Sequence, residues 1–229
     1  MNTAYDSNDL KRNWFDVNAH QARQVGKFSA EGEWLDPHPL PHLRPSLQGL
    51  VNSSELVGVE CGVGSGINSL NIYNNLDIKK LFLLDLNLPP VEPLSSLIQK
   101  DNVSFLQGNS LEQLHNLPDG LDFVYLDASH DFPTLLTEIK IIYPKLKEGG
   151  VLGGHDYEQI GVVAAVNTLM LNIWREIGRK PTSFFFESCR DNHPGYPLEY
   201  KEIGFPIDWW HIKEEGLGED FKILPLRNG

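Results

Sequence analysis

Sulfur is scarce in this chain: two cysteines, Cys61 and Cys189, and two methionines occur in 229 residues. So few cysteines exclude a disulfide scaffold as the organising principle, and a reducing, cytoplasmic setting is the expectation. Long apolar runs are also lacking. None approaches the ~20 residues needed to cross a bilayer, so no membrane partner is expected. The opening segment, MNTAYDSNDLKRNW, lacks the apolar core of a signal peptide. Positive charge is in short supply: 19 Lys and Arg stand against 31 Asp and Glu, giving a formal charge of −12. Proteins that hold phosphate backbones cluster Lys and Arg, and no such cluster occurs here, so nucleic acid is not the expected partner. A small-molecule ligand suits this balance better. The sequence has no internal repeat.

What is present is the composition of a soluble globular protein, 41% hydrophobic and 22% charged. The length suffices for one sizeable α/β domain with a short appendage. Residues 7–28 read as a leading helix, capped among Ser7, Asn8 and Asp9, with Leu10, Trp14, Val17 and Val25 roughly on one face. DPHPLPHLRPS (36–46) holds four prolines and reads as an extended connector. Residues 1–45 are therefore taken as an N-terminal extension, and 46–229 as the main domain. The extension suits either of two roles, covering a ligand site or mediating a homo-oligomer.

From Leu56 the polarity alternates. Strand-like runs are LVGVEC (56–61), KLFLLD (80–85), VSFLQ (103–107), LDFVYLD (121–127) and VLGGHD (151–156). Helical spacing recurs over 135–147, through Leu135, Ile139, Ile142 and Leu146, and over 162–177, with Gly178 and Pro181 as stop signals. Short apolar strands separated by amphipathic helices imply a parallel sheet covered on both faces. FFFESC (184–189) and DWWHIK (208–213) are strand-like with no helix between them, and read as an antiparallel pair on one edge. The prediction is an α/β, Rossmann-like, doubly wound mixed sheet of seven strands with an antiparallel C-terminal edge pair. One of Trp209 and Trp210 is expected to face the core.

Ligands of such sheets sit beyond the carboxyl ends of the strands. After the first strand, Gly62, Gly64 and Gly66 form G-x-G-x-G, which lets the backbone turn tightly and approach a ligand. Ile67 occupies the third glycine position of the dinucleotide fingerprint, and no Gly-Lys-Ser/Thr follows, which excludes a P-loop. Glu60 places an anion just before the loop. It would repel a pyrophosphate and favour a cationic ligand such as an ammonium or a sulfonium. Asp85 ends the second strand, where a carboxylate can accept both hydroxyls of a ribose. Each feature also has a plain structural reading, as a glycine turn with a solvated Glu and a strand-end cap.

Together, ECGVGSG followed by LFLLD resembles the first motif and the ribose acid of class I S-adenosylmethionine-dependent methyltransferases. DFVYLDASHDFPTLLTEIKIIYPKLKEGGVLGGHDY (122–157) is similar to small-molecule O-methyltransferases of the macrocin-type and cephalosporin-biosynthesis subgroup. The resemblance covers roughly residues 55–213. It implies S-adenosylmethionine as cofactor and a small-molecule hydroxyl as acceptor. Glu60, Gly62, Gly64, Gly66, Asp85, Asn109, Ser110 and Asp127 would bind the cofactor, Asn109 and Ser110 lying against the adenine. A hydroxyl acceptor must lose its proton as it attacks, which needs a general base, an acidifying metal, or both. The resemblance assigns His130 as base, Asp127 as first metal ligand beside the cofactor, and His155 with Asp156 as the second ligand pair for Mg²⁺ or Mn²⁺. His155 stands where metal-binding members often carry Glu, so a metal-free site is an equal alternative. Structural roles compete for each residue: a helix cap for His130 and Asp156, a satisfied core position for His155, a helix start for Asp131. RDNHPGYPLEYKEIGFPIDWW (190–210) reads as either an acceptor-covering loop or a surface hairpin, and Tyr157 as either a pocket wall or packing. A metal-dependent hydrolase built on His130-Asp131 and His155-Asp156, a non-catalytic binder of the cofactor and a nicotinamide dehydrogenase are the rival readings.

Overall fold

The computed structural model describes residues 55–64, 66–88, 92–181, 184–188, 207–218 and 220–224. The helix expected over 7–28, the connector over 36–46, Cys189 and most of 190–210 lie outside the described residues.

Seven strands form one sheet: β1 Leu56–Cys61, β2 Ile78–Asp85, β3 Val103–Gln107, β4 Leu121–Leu126, β5 Leu146–Gly154, β6 Phe184–Ser188 and β7 Ile207–Ile212. Their order is β3-β2-β1-β4-β5-β7-β6. The first five run parallel, and β7 pairs antiparallel with both β5 and β6. Five helices connect them: α1 Ile67–Asn75, α2 Leu94–Leu97, α3 Ser110–Gln113, α4 Phe132–Ile142 and α5 Ile160–Ile177. Strand order reverses between β1 and β4, which opens a crevice at their carboxyl ends.

The sheet carries a core on each face. Leu135, Ile139, Val162, Val166 and Leu169 of α4 and α5 pack with Val59, Val124 and Trp209. Ile72, Leu94 and Leu97 of α1 and α2 pack with Leu81, Phe123 and Trp210 on the other side. Both tryptophans are thus buried, one on each face, which corrects the expectation that one of them faces the core. Alternation along a strand puts neighbours on opposite faces, and here both faces are covered. By length and composition α5 is apolar enough to cross a membrane. Its apolar face is instead buried against the sheet.

Two boundaries differ from the sequence pattern. The helix expected over 135–147 starts and stops earlier, because Asp131 caps it by accepting from the Thr134 N–H and Pro144 lies in the 3-10 turn that follows. β5 begins at Leu146 rather than at Val151 and runs through Gly149 and Gly150. At the far edge Ser188 and Ile207 are register partners, so the chain leaves and rejoins the sheet at one point.

Candidate functional site

The crevice is built first from the loop after β1. Gly62 has φ 88°, and a Cβ there would lie 2.1 Å from the Asp127 carbonyl oxygen. The ends of β1 and β4 therefore touch backbone to backbone, a contact reinforced by the Asp127 N–H donating to the Cys61 carbonyl at 2.7 Å. Gly64, with φ 54°, has no atom within 4 Å of its Cβ direction, so this side of the loop is open. Gly66 precedes α1 in left-handed conformation and packs on Leu94 of α2.

Asp85 fixes that loop. Its Oδ2 accepts from the backbone N–H groups of Val63 and Gly64, both at 2.9 Å, and its Oδ1 accepts from the Asn87 N–H at 3.0 Å. The ribose candidate and the glycine loop are thus one hydrogen-bonded unit. Glu60 is placed otherwise than its sequence position suggests. It is 1% exposed and turned toward α1, where Asn68 Nδ2 donates to it at 2.8 Å and the Ser69 hydroxyl donates to its other oxygen. Burial pushes its pKa up to about 8 against those two hydrogen bonds, so at neutral pH the carboxyl is mostly protonated. The fixed anion expected in front of the loop is therefore largely neutralised, and the crevice anions are Asp85, Asp127 and Asp156.

Asn109 and Ser110 open α3. The Asn109 side chain accepts from the Leu111 N–H at 2.9 Å, a helix cap. The Ser110 hydroxyl donates at 2.5 Å to Glu138, a buried carboxyl of α4 whose Oε2 has no hydrogen-bond partner. Burial raises Glu138 to about 7.

Opposite the glycine loop stands the acid and histidine cluster. Asp127 follows β4, and His155 and Asp156 follow β5. His130 precedes α4, and its Nε2 lies 3.0 Å from Asp156 Oδ2 and 3.6 Å from Asp127 Oδ1. Neither approach is aligned as a hydrogen bond, and Nε2 is buried without a partner. Asp127 first, and Asp156 by its charge, hold the imidazole above the usual histidine range against partial burial. His155 faces the cluster from the other side. Its Nδ1 is 3.0 Å from Asp156 Oδ1 and its Nε2 is 3.7 Å from Asp208 Oδ1, on β7. Burial pulls His155 down, but Asp156, Asp208 and Asp127 outweigh it and raise the pKa to about 10. The same pairing brings Asp156 to about 2 against the opposing effect of burial.

Among the described residues, the group able to hold a metal is Asp127, His130 and Asp156, whose donor atoms lie within 4.8 Å of one another. The expected trio had His155 in place of His130. His155 lies outside this group, with Nδ1 3.0 Å from Asp156 and Nε2 3.7 Å from Asp208. The two carboxylates fit a hard divalent ion. Asp131 accepts from Ser129 Oγ and Thr134 N and is a helix cap, not a ligand. Tyr157 is buried and donates to Asn167 Oδ1 at 3.2 Å, so it packs. Three residues escaped the sequence reading: Asp208, Glu138 and Gln159, whose Nε2 lies 3.0 Å from His130 Nδ1. Their partners come from distant elements, and no local motif marks them.

Comparison with known proteins bears on the fold. A family described as a methyltransferase domain matches residues 59–157, from mid-β1 to the residue after Asp156. The uncharacterized protein R132 of Acanthamoeba polyphaga mimivirus is 24% identical over 178 residues, 67% of this chain and 76% of that protein. Among solved structures, an rRNA methylase from Streptococcus thermophilus is similar with a TM-score of 0.56 and 17% identity, over 78% of this chain and 98% of the other. The MycE methyltransferase of mycinamycin biosynthesis, solved with Mg, SAH and mycinamycin VI, gives a TM-score of 0.52 and 15% identity over 78% of this chain and 49% of its own. The chain thus carries a methyltransferase-domain match in its centre and has the Rossmann-like α/β fold of methyltransferases, antiparallel at its C-terminal edge.

Proposed function

We propose that this chain is a class I S-adenosylmethionine-dependent methyltransferase that methylates a hydroxyl of a small molecule in the cytoplasm. One observation carries the reading: an open glycine loop clamped by Asp85 meets, through the Gly62–Asp127 backbone contact, a base-bearing acidic cluster at the same sheet edge. A loop whose N–H groups are taken by Asp85 suits a nucleoside without a diphosphate, and Asp127 would stabilise a cationic sulfur and ammonium.

When bound, the cofactor supplies a methyl group on a positively charged sulfur, which departs as a neutral thioether. The protein's task is then to orient the acceptor oxygen and take its proton. His130 Nε2 is the group for this, as it lies between Asp127 and Asp156, which stabilise the imidazolium once formed. A divalent ion, where used, would be held by Asp127 and Asp156 and would acidify the hydroxyl. Nε2 serves as base or as ligand, not both at once. His155, already cationic between Asp156 and Asp208, partly offsets the charge of these carboxylates without metal.

The hydrolase reading loses Asp131 to helix capping and leaves the loop and Asp85 unexplained. A formal charge of −12 favours a small acceptor over RNA. Calorimetric titration with S-adenosylmethionine, S-adenosylhomocysteine and NAD, with and without Mg²⁺, tests the proposal. Binding of the two sulfur nucleosides and not of NAD is expected. Methyl transfer to a panel of sugar and aryl hydroxyls should follow. Tight NAD binding, or ester hydrolysis without the sulfur nucleoside, would overturn it.

A further inference from the structure

Methyl transfer makes no use of Glu138, a carboxyl on α4 with 0% exposure. Leu135 and Ile142, one turn away on either side, are apolar and buried. An apolar side chain would be less costly there, since Oε2 of Glu138 is buried without a partner among the described residues. The other oxygen, Oε1, accepts from the Ser110 hydroxyl at 2.5 Å.

Ser110 belongs to the crevice edge. It opens α3 and is half-buried. Gln107, the last residue of β3, is the register partner of Asp85, and the Gly108 N–H donates to the Asp85 carbonyl at 2.9 Å. The loop over 108–110 is thus fastened to the residue that clamps the glycine loop. Along the sheet edge the order runs from Ser110 after β3, through Asp85 on β2 and the glycine loop after β1, to Asp127 after β4. A nucleoside with its sulfur toward Asp127 and its ribose beside Asp85 therefore brings its base to Ser110. The neighbouring Asn109 turns its amide oxygen to the Leu111 N–H. A free serine hydroxyl rotates to donate or accept as its partner requires. Glu138 removes that choice by taking the proton, so Ser110 Oγ has only lone pairs left for a ligand.

We propose that Glu138 is a positioning residue that makes Ser110 an obligate acceptor, and that the pair selects a nucleoside base bearing an exocyclic amine over one with a carbonyl at the same place. This rests on the reading of the crevice as a nucleoside site.

The test compares S-adenosylhomocysteine with S-inosylhomocysteine, which carries a carbonyl in place of that amine. Both affinities are measured by calorimetry for wild type, Glu138→Leu, Ser110→Ala and the double variant, with thermal unfolding followed in parallel. E138L should unfold at the wild-type temperature or above it, as an apolar side chain replaces a half-satisfied carboxyl. Wild type should prefer the adenosyl compound by about 10-fold or more, because a donor meets Ser110 Oγ in one case and a second acceptor meets it in the other. The preference should fall about 5-fold or more in E138L and in S110A, and no further in the double variant, as expected of two residues acting through one hydrogen bond. Equal binding of both compounds by wild type, or a full preference retained in folded E138L or in S110A, would overturn the assignment. An E138L effect that persists undiminished without the Ser110 hydroxyl would do the same. S110A decides alone should E138L not fold. A wild type that binds neither compound removes the nucleoside reading and this assignment with it. A wild type that binds the adenosyl compound, with variants of unchanged preference, removes this assignment only.

Discussion

His130 and His155 lie in one acidic cluster and have opposite prospects. His130 has both carboxylates at one nitrogen, Nε2, and the Gln159 amide at the other, whereas His155 has a carboxylate at each nitrogen. Replacing His130 by Ala should cut methyl transfer by ~100-fold or more and leave S-adenosylhomocysteine affinity nearly intact, measured by steady-state kinetics and calorimetry. Unchanged turnover would remove it from the mechanism. His155→Glu exchanges a cation for an anion beside Asp127 and Asp156, so Mn²⁺ should bind roughly 10-fold or more tightly than to wild type, because hard-cation affinity follows ligand charge. Asp85→Ala leaves the Val63 and Gly64 N–H groups without their acceptor. Cofactor affinity should fall at least about 10-fold, as a lost charged hydrogen bond costs about 1.5–3 kcal/mol.

Among the elements, β5 and β7 decide whether the site forms. A Cβ at Gly153 would sit 2.0 Å from Trp210 Cε3, and one at Gly154 would sit 2.4 Å from the Leu126 carbonyl oxygen. Gly153→Ala should therefore push Trp210 out of its place and destabilise the protein by about 1–3 kcal/mol in urea unfolding, as overpacked cores do. Activity should suffer as well, since β7 brings Asp208 to His155. The strands were the most legible part of the sequence: VSFLQ and LVGVEC match β3 and β1 end for end. Their periodicity is local, and so is the glycine loop that follows β1. The Asp127, His130 and Asp156 grouping was legible in part, because strand ends gather at one edge. The surroundings of His155 were not legible, because they depend on Asp208, some fifty residues on in a different strand. The orientation of Glu60 was equally hidden, as its partners Asn68 and Ser69 reach it only once α1 packs.

Over the whole molecule, two buried carboxyls act together on the pH dependence of stability. Glu60 and Glu138 have pKa values raised to about 8 and about 7, first of all by burial. Between the ordinary carboxylate pKa and those values, the folded state binds more protons than the unfolded one. Stability should therefore fall as pH rises from about 4.5 toward 8. In the His155–Asp156 pair, His155 acts with the same sign at higher pH and Asp156 with the opposite sign at low pH. Its contribution is fully present between the unfolded pKa values of about 3.8 and 6.5. It is lost as pH rises through about 10, and as pH falls through about 2. Thermal unfolding followed across pH 4 to 9 should thus peak on the acidic side of neutral. Glu60→Gln should flatten the decline above pH 5, and an unaltered profile in that variant would contradict the burial of a proton at Glu60.

Ser188 and Ile207 stand opposite each other on the outer two strands. A segment that leaves and rejoins at a single clasp pays little more in closure entropy when it is lengthened. Changes of length between those two points should therefore leave the pairing of β6 with β7 in place.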